Sequence, residues 1–317
     1  MNTGKIMVRK HLLLIMLIGG VLAACQTKST DVASFQATEE KAAYVDVDSY
    51  NIQLIEIYAK QNLDLKPITE KIKGKLYKPS GNGPFPGVVV FHGCGGASDN
   101  EWMWAEWFQE KGVVALVVDG FSPRGIQTTC SDLQSIKAST RINDAFGGAA
   151  FLGKLPLVDD TNIGIMGFSN GAGRALNVVA KRYREKAGVA VPNFRFSIPV
   201  YPECRAGYGI NSSGYRTGPY GAPVMVLIGE SDDWTLASSC LKVSELTKND
   251  AYPVKVITYP GAHHGFDHQN QSAKYLPNAD NWNNVSGRGA TVQGDRKTTL
   301  QAMTDVLAFL RKLGVIR

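Results

Sequence analysis

Ser169 lies in Gly167-Phe168-Ser169-Asn170-Gly171, with the apolar run 162–168 (NIGIMGF) before it and the small residues Ala172, Gly173 and Ala175 after it. A serine on a sharp turn from strand to helix has its hydroxyl lifted clear of the sheet, and the turn is crowded enough to need glycine on both sides. The helix that follows aims its first N–H groups and its positive end at the serine oxygen. Such a hydroxyl becomes a nucleophile for carbonyl carbon when a neighbouring base takes its proton. Histidine is scarce: after His11 there are only His92, His263, His264 and His268. Run 253–259 (PVKVITY) leads into Pro260-Gly261-Ala262-His263-His264-Gly265-Phe266-Asp267, so the base is His263 or His264. His264 and His268 have the spacing of a metal pair on a helix, but Gly265 and the absence of a helical pattern argue against one. Run 223–228 (PVMVLI) ends in Gly229-Glu230-Ser231-Asp232-Asp233-Trp234 and offers an orienting carboxylate. Asp232 and Asp233 both qualify, with Glu230 a weaker choice.

An anion site completes this chemistry. Run 87–91 (GVVVF) ends in His92-Gly93-Cys94-Gly95-Gly96. This turn is expected to present the Cys94 backbone N–H beside that of Asn170 as an oxyanion hole, one donor of which contributes about 3 kcal/mol in a transition state. His92 is read as a structural hydrogen-bonding residue of the turn. The Cys94 side chain must then be tied elsewhere, and Cys130, on the loop after 113–118, is the expected partner. Cys204 follows 195–201 and Cys240 follows the acid loop, so a bridge between them would brace that loop. Four cysteines allow three pairings, and an even number suits an oxidising compartment. They form no Cys-x-x-Cys pair, which argues against zinc.

These residues need elements to position them. The runs 87–91, 113–118, 162–168, 195–201, 223–228 and 253–259 are mostly continuous in apolar residues, as strands covered on both faces of a parallel sheet must be. Helical patterns fall between them, over 100–111, 138–153, 172–186, 237–249 and 296–313. This alternation predicts an α/β fold with a mostly parallel, doubly wound sheet flanked by helices. Segments 50–58 and 70–78 are expected as edge strands, and the polar, Asn- and Gly-rich 268–294 as a long surface loop. Trp102, Trp104, Trp107 and Phe108 are expected as core or rim, and the basic run 181–186 as a solvated helix face. The 317 residues are 44% hydrophobic and 20% charged, too balanced for a polytopic membrane protein and too apolar for a disordered chain.

The N-terminus is expected to be an address. Lys5, Arg9 and Lys10 precede an apolar run, Leu12 to Ala24, that is shorter than the roughly 20 residues of a spanning helix. Its end, Leu22-Ala23-Ala24-Cys25, resembles the bacterial lipobox, which implies a signal peptide over 1–24, lipidation at Cys25, a tether over 25–43 and one domain over 44–317. The expected location is outside the cytoplasm, held to a membrane by the lipid. The formal charge is +6, and losing those three cations leaves +3. That charge is too small and too scattered to argue for nucleic acid.

Together, His92–Gly96, Asp119–Gly125, Gly167–Gly171, Gly229–Trp234 and Gly261–Asp267 resemble the dienelactone hydrolase family of α/β-hydrolases. The resemblance runs from about residue 70 to the C-terminus. It implies the α/β-hydrolase fold, no metal or organic cofactor, and a small ester or lactone as substrate. It selects Asp232 and His264, giving the order Ser169, Asp232, His264 of that superfamily. The namesake enzymes carry a cysteine nucleophile, so the serine favours a general carboxylic ester over dienelactone. Arg124 is expected either to bind a substrate carboxylate or to brace its own loop, and Tyr201, Glu203 and Trp234 to line the pocket. A binding lipoprotein without catalysis, and a peptidase or acyltransferase with the same triad, remain as alternatives.

Overall fold

The apolar runs become six neighbouring strands of an eight-stranded sheet. The computed structural model describes residues 42–50 (as backbone), 69–187, 192–205 and 219–317. The expected signal peptide and Cys25 lie outside the described residues. The strands are β1 (Ala42–Tyr50), β2 (Thr69–Tyr77), β3 (Phe85–Phe91), β4 (Val114–Asp119), β5 (Val158–Phe168), β6 (Phe194–Val200), β7 (Val224–Gly229) and β8 (Val254–Tyr259). Their order is β1-β2-β4-β3-β5-β6-β7-β8. β1 and β2 run antiparallel at one edge, and every pairing from β4 through β8 is parallel. The continuous runs follow from this. All six residues of β7 and the last five of β3 are buried, because the sheet is covered on both faces.

The helices are α1 (Asp99–Glu110), α2 (Ala138–Leu152), α3 (Asn170–Val179), α4 (Lys181–Ala187), α5 (Ala237–Thr247) and α6 (Arg296–Lys312). On one face α1 sets Trp104 against Phe168 of β5, with ring centroids 6.4 Å apart, and α6 sets Phe309 edge-on to Phe196 of β6. On the other face α2 places Phe146 against Phe194, and the Ala175 carbonyl of α3 accepts from the Ser197 hydroxyl at 2.9 Å. This is the doubly wound α/β-hydrolase architecture.

The described edge strand is Ala42–Tyr50, and residues 51–58 of the edge strand expected over 50–58 lie outside the described residues. Two sequence expectations are corrected. The helix expected over 172–186 breaks at Ala180, which is extended (φ −73°, ψ 131°) and bridges Tyr220. Segment 268–294 is not a plain loop, for it contains an antiparallel hairpin, β9 (Lys274–Asp280) with β10 (Arg288–Val292). β9 buries only Ala279, so its sequence carries little of the apolar alternation that marks a half-buried strand.

Candidate active site

The nucleophile turn has a constrained backbone. Ser169 follows β5 with φ 50° and ψ −114°, a left-handed conformation that non-glycine residues rarely adopt. Its N–H donates to Val200 O at 3.0 Å, and its carbonyl accepts from Gly173 N at 3.1 Å. The turn fits because its flanks lack side chains. A Cβ on Gly171 would lie 2.3 Å from Phe91 O and 2.4 Å from His92 O, and one on Gly167 would lie 2.4 Å from Gly171 O.

β7 and β8 deliver the acid and the base to the same edge. His264 Nε2 is 2.9 Å from Ser169 Oγ, and His264 Nδ1 is 2.8 Å from Asp232 Oδ2. Both side chains are buried. Asp232 Oδ1 accepts the backbone N–H groups of Trp234 (2.9 Å) and Thr235 (2.8 Å), and Oδ2 also accepts from the Thr235 hydroxyl at 2.8 Å. Donors on both oxygens fix the orientation of this carboxylate. Asp233 is turned away: its oxygens accept from the Thr291 N–H (2.7 Å) and hydroxyl (2.8 Å) of β10. No described bond joins His263 to Ser169 or Asp232.

The Gly-rich turn after β3 lies against the serine, since a Cβ on Gly93 would fall 3.4 Å from the Ser169 Cβ. His92 is fully buried, with Nδ1 on Gly93 O (2.7 Å) and Nε2 facing Arg141 Nη1 (2.9 Å). Burial, and then the Arg141 charge, lower its pKa well below the ordinary value and keep it neutral, as a bracing residue of the turn requires. Cys94 bonds to Cys130 and Cys204 to Cys240, with Cα atoms 4.9 and 5.0 Å apart. The Cys94 carbonyl also accepts from Thr129 N at 2.8 Å, so the anion-site turn and the 126–133 loop are fastened twice.

Around Ser169 lies a narrow cleft lined by Leu133, Asn170, Glu203, Trp234, Thr235, Asp280 and Trp282. Trp234 is thus at the cleft as expected, its indole N–H donating to Asp280 O at 2.7 Å. Arg124 is not at the cleft. Its guanidinium reaches Asp144 Oδ1 (2.9 Å) and Oδ2 (2.8 Å) and, through Nε, Glu70 Oε2 (2.8 Å). Two carboxylates already take the fork, so it braces the loop after β4, the second of the two roles expected for it. Tyr201 also departs from the pocket-lining expectation. It is buried with φ 42°, and its ring packs against His264 at a centroid distance of 4.5 Å. Its hydroxyl donates to Asp267 Oδ1 at 2.8 Å.

Sequence reasoning missed Asp267, Thr235, Asp280 and Trp282. Asp267 is fully buried three residues past His264 and also accepts the Trp104 indole N–H at 2.7 Å. Its one sequence signal is an acid in a short apolar turn (Gly265-Phe266-Asp267). Asp280 and Trp282 were hidden because the hairpin was read as loop. That hairpin packs Ala279 and Ala290 with Cys94 and Trp234 into a small satellite core, apart from the main one. Gln293 N donates to His264 O at 3.1 Å, which ties the hairpin to the histidine loop. Among the described residues no cluster of His, Cys, Asp and Glu has a metal-holding arrangement, and no helix is long and apolar enough to cross a membrane.

The fold is shared with solved structures of low sequence similarity. Esterase 2 of Thermogutta terrifontis, solved phosphorylated by paraoxon, is 17% identical with a TM-score of 0.55, over 78% of this chain and 91% of that one. MGS-M1, an alpha/beta hydrolase enzyme from a Medee basin deep-sea metagenome library, is 16% identical with a TM-score of 0.53, over 77% and 93%. A Klebsiella pneumoniae protein assigned as a dienelactone hydrolase is 12% identical with a TM-score of 0.55, over 84% and 98%. The sequence pattern of the dienelactone hydrolase family matches residues 72–287, most of the described domain. The chain therefore belongs to the dienelactone hydrolase family and is a carboxylic ester hydrolase of that family.

Proposed function

We propose that the protein cleaves a carboxylic ester or lactone through an acyl-enzyme on Ser169. The observation that carries this reading is the unbroken chain Ser169 Oγ–His264–Asp232, with links of 2.9 and 2.8 Å at the C-terminal edge of the sheet. His264 Nε2 takes the serine proton as Oγ attacks the carbonyl carbon. Asp232 holds the proton on Nδ1, so that Nε2 is the free base, and stabilises the imidazolium that forms. The backbone N–H groups of Cys94 and Asn170 receive the negative oxygen of the tetrahedral intermediate. His264 then protonates the departing alkoxide, and water releases the acyl group by the reverse steps. The test uses p-nitrophenyl acetate and a fluorophosphonate probe. Ser169→Ala should lower kcat by roughly a thousandfold or more and abolish labelling. Equal rates in the two proteins would remove Ser169 from the chemistry.

We further propose that the enzyme is exported and anchored by lipid on Cys25. The basic start, the short apolar run and Leu22-Ala23-Ala24-Cys25 support this, and two disulfides suit an oxidising compartment. Metabolic labelling with a radioactive fatty acid should mark the wild type and not Cys25→Ala; equal labelling would refute it.

A further inference from the structure

The cleft beside Ser169 has an uneven chemistry. Among the described residues that line it, the only ionisable side chains are Glu203 and Asp280, and none is cationic. An anionic group here would meet two carboxylates and, among the described lining residues, no counter-charge. Each carboxylate is instead matched by an arginine that does not line the cleft. Arg205 Nε is 3.5 Å from Glu203 Oε1, and Arg288 Nη1 is 3.0 Å from Asp280 Oδ1. Because the charges are balanced, the cleft has little to gain from a cation either. What is left is hydrogen-bond acceptance. Glu203 Oε1 takes Arg205 N (2.7 Å) and Oε2 takes Asn283 Nδ2 (2.9 Å). A carboxylate oxygen accepts two bonds, so further acceptor capacity remains on this held group.

The aromatic wall points the same way. Trp282 is 45% exposed at the mouth of the cleft, an unusual position for so large an apolar ring. Asn283 fixes its neighbourhood, since the same amide that donates to Glu203 also donates to Trp234 O at 2.8 Å. A flat indole beside an oriented acceptor suits a ring with an apolar C–H face and hydroxyl groups on its edge.

We propose, resting on the ester-hydrolase reading, that the alcohol portion of the substrate is an uncharged sugar, so that the enzyme removes an acyl group from an O-acylated carbohydrate. The sugar ring lies on Trp282 and donates a hydroxyl proton to Glu203. The reaction is hydrolysis: the bond from acyl carbon to sugar oxygen breaks, and water supplies the hydroxyl of the released acid and the proton of the sugar.

The test holds the acyl group constant and varies the alcohol, with released acetate measured for methyl glucoside 6-O-acetate, cyclohexyl acetate, acetylcholine and O-acetyllactate. The sugar ester should exceed the other three in kcat/KM by roughly tenfold or more, because a site built for hydroxyls rejects analogues that lack them. Glu203→Gln and Trp282→Ala should each cut the ratio of sugar ester to cyclohexyl acetate by roughly fivefold or more, with circular dichroism checking that each variant folds. A ratio near one, a ratio that neither variant changes, or a preference for acetylcholine or O-acetyllactate overturns the proposal. Hydrolysis of p-nitrophenyl acetate that depends on Ser169, without the sugar preference, would overturn this inference alone. No hydrolysis of any of the esters would overturn both readings.

Discussion

The indole N–H of Trp104, on α1, donates at 2.7 Å to a carboxylate oxygen of Asp267, three residues beyond His264. The other oxygen of that carboxylate takes the Tyr201 hydroxyl, and the Tyr201 ring lies against the imidazole. Burial, followed by the Asp267 charge, raises the Tyr201 phenol pKa well above its ordinary value, so the phenol remains a donor. Asp267 thereby anchors the histidine loop to the core.

Asp267→Asn keeps the volume and removes an acceptor from one of two buried donors. Stability should fall by about 1–3 kcal/mol in urea titrations. The looser imidazole should lower kcat by roughly tenfold or more with little change in KM, as small misplacements of catalytic groups do. An unchanged kcat would show that the loop holds its shape without this anchor.

The two adjacent acids should separate cleanly. Asp232→Asn should lower kcat by roughly a thousandfold to ten-thousandfold, because the amide favours the wrong imidazole tautomer. Asp233→Asn loses bonds to Thr291 only, so kcat should stay within about threefold while the melting temperature drops slightly. Steady-state kinetics of the two variants decides this.

Two glycines near the nucleophile make a second contrast. Gly171→Ala drives a Cβ into two backbone carbonyls and should cost about 3 kcal/mol with loss of activity. Gly95→Ala meets nothing within 4 Å, so its melting temperature should match the wild type. Thermal unfolding of both variants reads the difference.

Much of this arrangement is legible in the sequence, for reasons that also explain what was not. β3, β4, β7 and the C-terminal halves of β5 and β6 announce themselves because a strand covered on both faces must be apolar, and Ser169 because its turn demands glycine on each side. The choice of His264 over His263, and of Asp232 over Asp233, needed the family resemblance, since neighbouring identical residues carry no signal about which way each points. Tyr201 was misplaced, and Arg124 left open between two roles, for a related reason. A loop at the right edge of the sheet says nothing of the backbone twist that turns Tyr201 inward, or of the two distant carboxylates that occupy Arg124. The hairpin stayed hidden because β9 is mostly exposed and β10 is only five residues long.

Glu101 carries a pH dependence. Burial raises its pKa from 4.5 to about 7, partly opposed by the Ser98 N–H and hydroxyl that donate to it. Between those values the folded protein keeps a proton that the unfolded chain has released. Stability therefore falls as pH rises across this window, by about 1.4 kcal/mol per pH unit and about 3 kcal/mol in all, and then levels off. Glu101→Gln should flatten this slope and be the more stable protein at pH 8. Chemical denaturation of both proteins from pH 5 to pH 8 measures it.

The β9–β10 hairpin lends Asp280 and Trp282 to the cleft from a satellite cluster, while the main core holds the sheet. The cleft residues Asp280 and Trp282 sit where β9 ends and the turn begins, whereas the far end of the hairpin holds the histidine loop through Gln293 N and His264 O. Substitutions at the turn can therefore remodel what enters the cleft, while those beyond β10 reach the imidazole itself.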